Sequence, residues 1–133
     1  MKKKTEENIQ IAVCNYIRIQ YPSAQFICDV ASGMKLTIGQ AVKAQRMRSG
    51  RGWPDIFVAE PKGLCYGLFI ELKSDKNSPY LKDGMTLKSD EHIREQAEMI
   101  EKLNHKGYYA RFAVGFDQAK HIIDKYFAMG NLK

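Results

Sequence analysis

The stretch Gly52-Trp53-Pro54-Asp55, with Pro61-Lys62-Gly63 and Ile70-Glu71-Leu72-Lys73 after it, decides the reading of this chain. Strands over about 55–60 and 66–73 would flank a turn at Pro61-Lys62-Gly63. A hairpin symmetric about Gly63 sets position 55 opposite position 71. Side chains directly opposite in an antiparallel pair sit roughly 4.5–5.5 Å apart. Alternate residues of a strand share a face, so Lys73 stands beside Glu71 while Leu72 points the other way. Two carboxylates that close repel each other. A divalent cation between them turns the repulsion into a binding site, and hard oxygen ligands suit Mg²⁺ or Mn²⁺. With a lysine to orient or polarise an attacking water, the set fits metal-dependent hydrolysis of a phosphodiester.

The bulk properties agree with that chemistry. A chain of 133 residues is expected to form one domain, 1–133, with a single modest core. Its 44% hydrophobic and 27% charged residues describe a soluble, folded chain rather than a disordered one. No apolar run approaches the ~18 residues of a membrane span. The basic start Met1-Lys2-Lys3-Lys4 runs into polar Thr5-Glu6-Glu7-Asn8, not into the apolar centre of an export signal, so a cytoplasmic location is expected. Cys14, Cys28 and Cys65 are odd in number, far apart and outside any paired motif. They read as buried reduced thiols rather than a disulfide or a zinc site. The net charge of +6, from 21 basic and 15 acidic residues, favours a polyanionic partner. Lys43, Arg46, Arg48 and Arg51 cluster just before Pro54-Asp55, so cations able to hold a nucleic-acid backbone converge on the acidic pair.

Outward from the hairpin, residues 5–20 read as a helix with Thr5 as N-cap, acids in its first turn, and Ile9, Val13, Tyr16 and Ile17 as its apolar stripe. Gln25 to Val30 reads as a strand, Ser32-Gly33 as a loop, and 37–48 as a weak basic amphipathic helix. Residues 74–88 form a polar connection whose Lys76, Tyr80, Lys82 and Lys88 either clamp a substrate or simply link two elements. Ser89 is expected to cap a helix running to about His105, with Ile93, Ala97, Ile100 and Leu103 as its stripe and Gly107 as its stop. Tyr108 to Val114 reads as a strand, and Asp117 as the cap of a last helix. The order is α-β-(α)-β-β-α-β-α, an α/β class with helices flanking a small mixed sheet. Gln96 is a polar residue on the apolar side of its helix, which suggests an inward task. His92, one turn earlier, is a candidate phosphate contact.

The spacing of Pro54-Asp55 and Glu71-Leu72-Lys73 resembles the PD-(D/E)xK nucleases. More specifically, the chain resembles a stand-alone VRR-NUC (virus-type replication–repair nuclease) domain of the phage and bacterial type. The likeness rests on an N-terminal helix bearing Glu7, on Gly52-Trp53-Pro54-Asp55, on Ile70-Glu71-Leu72-Lys73, on a helix carrying Gln96, and on Gly107-Tyr108 leading into a strand. Trp53 is bulkier than the residue expected between that glycine and proline, and Ser32-Gly33 stands where Asn-Gly is expected.

The resemblance implies a restriction-endonuclease-like core. It also implies Asp55 and Glu71 as ligands of Mg²⁺ or Mn²⁺, with the Leu72 backbone carbonyl as a further protein oxygen. Lys73 would position or activate water, Glu7 would reach the metal from the first helix, directly or through water, with Glu6 as the competing acid, and Gln96 would complete the site. DNA, branched in some members, is the implied substrate, and a homodimer the implied assembly for a four-way-junction resolvase, since two symmetric nicks need two sites related by a two-fold axis. A flap nuclease, an exonuclease or a restriction-like nuclease uses the same scaffold. A non-catalytic nucleic-acid-binding module would use the basic surface alone, and the intact Asp55, Glu71 and Lys73 set argues against it.

Overall fold

The computed structural model describes residues 6–29 and 35–130. The expectations for Lys2, Lys3, Lys4, Thr5, Val30 and Ser32-Gly33 lie outside the described residues. The elements are α1 (Glu6–Gln20), β1 (Phe26–Cys28), α2 (Ile38–Arg46), β2 (Ile56–Val58), β3 (Leu68–Lys73), a short 3₁₀ turn (Asp75–Asn77), α3 (Glu91–His105), β4 (Tyr109–Val114) and α4 (Gly115–Phe127). Their order is the expected one.

The strands form one mixed sheet in the order β1-β2-β3-β4, antiparallel except where β4 runs parallel to β3. Ile56 pairs with Ile70, Phe57 with Phe69 and Val58 with Leu68. Each pair is symmetric about Gly63, so the expected register holds within the strands. The turn departs from it, because Lys62 bridges Cys65. One extra residue is absorbed between Val58 and Lys62, and both strands stop short of their expected ends at the turn.

β3 is buried along its whole length, as a central strand covered on both faces must be. On one face Leu68, Ile70 and Leu72, with Ile56 and Val58, meet Ile9, Val13 and Ile17 of α1 and Ala119, Ile123 and Tyr126 of α4. On the other, Phe69 and Ala110 meet Met99 and Leu103 of α3. The result is a helix–sheet–helix sandwich. The Tyr16 and Tyr21 hydroxyls donate to Asp124 Oδ1 at 2.6 and 2.8 Å, fastening α4 to α1.

Several local expectations need correction. Asp90, not Ser89, caps α3, its carboxylate accepting the Ile93 N–H at 3.1 Å. The buried face of α3 is Ile93, Gln96, Met99 and Leu103, with Ala97 and Ile100 beside it. α4 starts at Gly115 behind Val114, so Asp117 falls inside its first turn and caps nothing. Gln118 Oε1 instead accepts the Val114 N–H at 2.9 Å. The connection 74–88 is organised, because Asp83 Oδ1 accepts the Met85 and Thr86 N–H groups, each at 2.9 Å, and Tyr80 bridges Leu87. α2 opens on a capping box between Thr37 and Gln40, yet none of its residues is buried. No helix among the described residues is long and apolar enough to cross a membrane.

Ile70 sits at the centre of the larger cluster with no solvent exposure. Ile70→Ala should lower unfolding stability by about 2–5 kcal/mol, the transfer and cavity cost of a buried aliphatic truncation. Urea unfolding followed by circular dichroism measures it, and a loss under about 1 kcal/mol would mean that the β2–β3 core collapses around the gap.

Candidate active site

The site begins where the β2 ladder stops. Leu72 lies beyond the Ile56–Ile70 pair, so no β2 residue is paired with it. Asp55 takes that place with its side chain: Oδ2 accepts the Leu72 N–H at 2.7 Å. By the same register Asp55 stands opposite Glu71. Glu71 and Lys73 share the Phe69 face of β3, the side on which α3 packs. Gln96, reaching across from α3, donates through Nε2 to Glu71 Oε1 at 2.8 Å. Lys73 Nζ lies 3.9 Å from Glu71 Oε1. All four side chains are withdrawn from solvent, with exposures of 7% for Asp55, 4% for Glu71, 7% for Lys73 and 5% for Gln96.

A close approach of two backbones holds this arrangement. Gly52 has φ +83°, a left-handed conformation, and a Cβ there would lie 2.5 Å from the Glu95 carbonyl oxygen and 2.8 Å from the Gln96 nitrogen. Only glycine lets the chain leading to Asp55 pass so close to the turn of α3 that presents Gln96. Trp53, bulkier than expected, packs on Phe69 with ring centroids 6.0 Å apart and so belongs to the smaller core.

Burial and the neighbouring Asp55 charge push the Glu71 carboxyl well above its ordinary range, with Lys73 pulling the other way. Glu71 Oε2 is buried and has no hydrogen-bond partner, and Gln96 Oε1 is in the same position. A buried carboxylate oxygen with no donor, beside a second carboxylate, has the chemistry of a hard-cation ligand. The residues present therefore fit Mg²⁺ or Mn²⁺ between Asp55 and Glu71. No cluster of three or more histidine, cysteine or acidic side chains in metal-holding geometry occurs among the described residues.

Of the two acids in the first turn of α1, Glu6 rather than Glu7 lies on the side of Glu71. Glu7 is exposed and lines a groove with Gln10, Cys14 and Asp29. Glu6, half-buried, adds its charge to the larger effect of Asp55 in raising the Glu71 carboxyl. It accepts from Asn77 Nδ2 at 3.4 Å and shares a groove with Lys73, Lys76, Lys88 and His92. Adjacent helical residues point about 100° apart, so one position decides which acid faces the site. His92 is exposed, with its Nε2 3.2 Å from Gln96 Nε2. For Gln96 to donate there as well as to Glu71, the imidazole proton must sit on Nδ1. The Leu72 backbone reaches the site through its N–H.

The basic residues divide. Lys43 and Arg46 occupy the last turn of α2, exposed, and Arg51 is exposed on the approach to Gly52. Arg48 is engaged in an ion pair with Asp29, whose N–H donates to the Asp55 carbonyl at 2.7 Å.

No family model and no curated protein matches this chain. A solved structure described as a VRR_NUC domain protein matches with a TM-score of 0.69 and 27% identity, over 100% of this chain and 96% of that one. Over its whole length the chain is similar to that VRR-NUC domain protein. Its mixed sheet between helices is the restriction-endonuclease-like α/β core.

The raised Glu71 carboxyl has a consequence for the metal-free protein. A proton held more tightly in the folded state adds stability below the ordinary value of 4.5, and that stability is lost as pH rises through the raised value. Glu71→Gln should therefore melt a few degrees higher than wild type at pH 7 without metal, and the gap should close below pH 4.5. Thermal melts across that range in a chelator measure it; equal melting at pH 7 would show that the buried charge carries no cost.

Proposed function

We propose that this protein is a Mg²⁺- or Mn²⁺-dependent DNA endonuclease, acting on branched DNA as a homodimeric four-way-junction resolvase. The observation that carries the reading is the unpartnered Glu71 Oε2 beside Asp55, both buried, with Lys73 Nζ 3.9 Å from the other Glu71 oxygen. The VRR_NUC likeness supports the nuclease class.

Asp55 and Glu71 would hold the metal ion, with Glu6 contributing from α1, directly or through water. Bound there, the ion would supply Lewis-acid stabilisation of the charge that builds on a phosphodiester under attack. Lys73 would orient the attacking water and keep its cationic head close to that charge. Gln96 fixes the Glu71 rotamer through its hydrogen bond, so one Glu71 oxygen stays turned away from Gln96. Lys43, Arg46 and Arg51 would hold the DNA backbone. Arg48 joins them only by exchanging Asp29 for phosphate. A two-subunit assembly is supported by α2, none of whose residues is fully buried and which leaves Ile38 86% and Val42 51% exposed.

Asp55→Ala should cut metal-dependent cleavage by about a hundredfold or more while leaving DNA binding nearly intact or tighter. An end-labelled panel of junction, flap, duplex and single strand, run in Mg²⁺ and in Mn²⁺, tests this. Paired symmetric nicks on the junction alone support the resolvase. Cleavage of linear ends only supports an exonuclease, and unchanged cleavage by Asp55→Ala sinks the metal site. Glu6→Gln should lose roughly 10–100-fold, the usual effect of a residue supporting a metal site, and Glu7→Gln should stay within about twofold. The reverse ranking would return the role to Glu7.

A further inference from the structure

Cys14 and Cys28 are far apart in the chain but adjacent in space. Cys14 lies on α1 and Cys28 ends β1, and the two half-buried thiols line the same groove. Arg18 and Asp29 line that open groove too, and a small oxidant reaches both thiols there. The third thiol, Cys65, is equally partly exposed but lies in the turn after β2, at the far end from the Ile56 that pairs with Cys28. We propose that Cys14 and Cys28 form a reversible redox dithiol, which a hydroperoxide converts to an intramolecular disulfide between α1 and β1.

The environment divides the two roles. The neighbouring Cys28 thiol, opposed by burial and aided by Arg18, brings the Cys14 thiol down to about 7. Cys14 in turn, with burial, pushes Cys28 up, so it keeps its proton. Cys14 is thus the nucleophile and Cys28 the resolving thiol. The Cys14 thiolate attacks one peroxide oxygen. The O–O bond breaks, the departing oxygen takes a proton and leaves as water, and Cys14 becomes a sulfenic acid. The Cys28 sulfur then attacks the Cys14 sulfur. The S–S bond forms, the S–O bond breaks, and the hydroxide leaves with the Cys28 proton as a second water. Two thiols lose two electrons, and the peroxide gains them. The staple ties the helix carrying Glu6 to the strand end whose next residue, Asp29, is bonded to the Asp55 backbone at 2.7 Å. This inference stands apart from the nuclease reading, since it needs neither metal nor DNA.

The test uses the whole chain, stoichiometric hydrogen peroxide, an alkylating quench and peptide mass mapping. The expected result is a Cys14–Cys28 linked pair, lighter by two hydrogen atoms and resistant to alkylation. Cys65 stays alkylatable, and dithiothreitol restores both thiols. The pair should form roughly tenfold faster in the folded protein than in urea, because only the fold supplies the low-pKa neighbour. In Cys28→Ser the disulfide disappears and dimedone traps Cys14 as its sulfenic acid. Oxidation of Cys14 no faster than Cys65, equal rates in urea, or a dominant disulfide through Cys65 would each overturn the proposal.

Discussion

The carboxylate of Asp55 on the Leu72 N–H, at 2.7 Å, is the contact on which the site depends. It forms where the β2–β3 ladder runs out, and it continues the ladder by a side chain. A slip of one residue would send every β3 side chain to the opposite face. Glu71 and Lys73 would then enter the apolar layer against α1 and α4, and Ile70 and Leu72 would face α3. The register is therefore guarded by the whole larger core, and the site inherits its rigidity from residues that touch no chemistry.

That arrangement sets two demands against each other on one strand. The even-numbered side of β3 is purely apolar and supplies cohesion. The odd-numbered side begins with Phe69 in the smaller core and ends with two buried charges. Burying Glu71 beside Asp55 raises its carboxyl, a direct sign that the metal-free site is destabilising. Such a cost is tolerated only where the surroundings are over-determined. Gly52 against the α3 backbone, the Gln96 hydrogen bond and the Asp124 anchor between α4 and α1 over-determine them from three sides.

What the sequence made legible was whatever depended on period and symmetry. Alternation along β3 and the symmetry about Gly63 put Asp55, Glu71 and Lys73 together, and that is where they lie. The order of elements followed from stripes and breakers. Choices between neighbouring residues were not legible. Ser89 and Asp90 are both good caps, and only the carboxylate bonded to Ile93 separates them. Ala97 and Met99 both fit a helical stripe, and the face that α3 turns to the sheet buries Met99. Glu6 and Glu7 are equally at home in a first turn, and the docking of α1 picks which one approaches Glu71. Arg48 belonged to a basic run until Asp29, distant in sequence, claimed it. The thiols Cys14 and Cys28 met for the same kind of reason: nothing in their spacing announces a contact made by packing α1 beside β1.

The charge distribution links cation to nucleic acid. The net charge is +6, yet its acids Asp55, Glu71 and Glu6 converge at one spot. With no cation that spot repels phosphate in the region where Lys73, Lys76 and Lys88 would attract it. If the proposed site holds a divalent ion, the ion would reverse the sign of the centre without altering the rim, and DNA and metal would each strengthen the binding of the other. The coupling is largest for a phosphate seated at Glu71 and fades within about a Debye length, some 8–10 Å at ordinary salt. Lys43 and Arg46 on α2 are exposed to solvent, so the DNA contacts proposed for them would be screened and would add affinity nearly independent of the metal. On the proposed reading the two basic surfaces would therefore differ in kind: the outer one would hold DNA by salt-sensitive attraction, and the inner one would let the backbone close on the acids only once a cation is there to receive it.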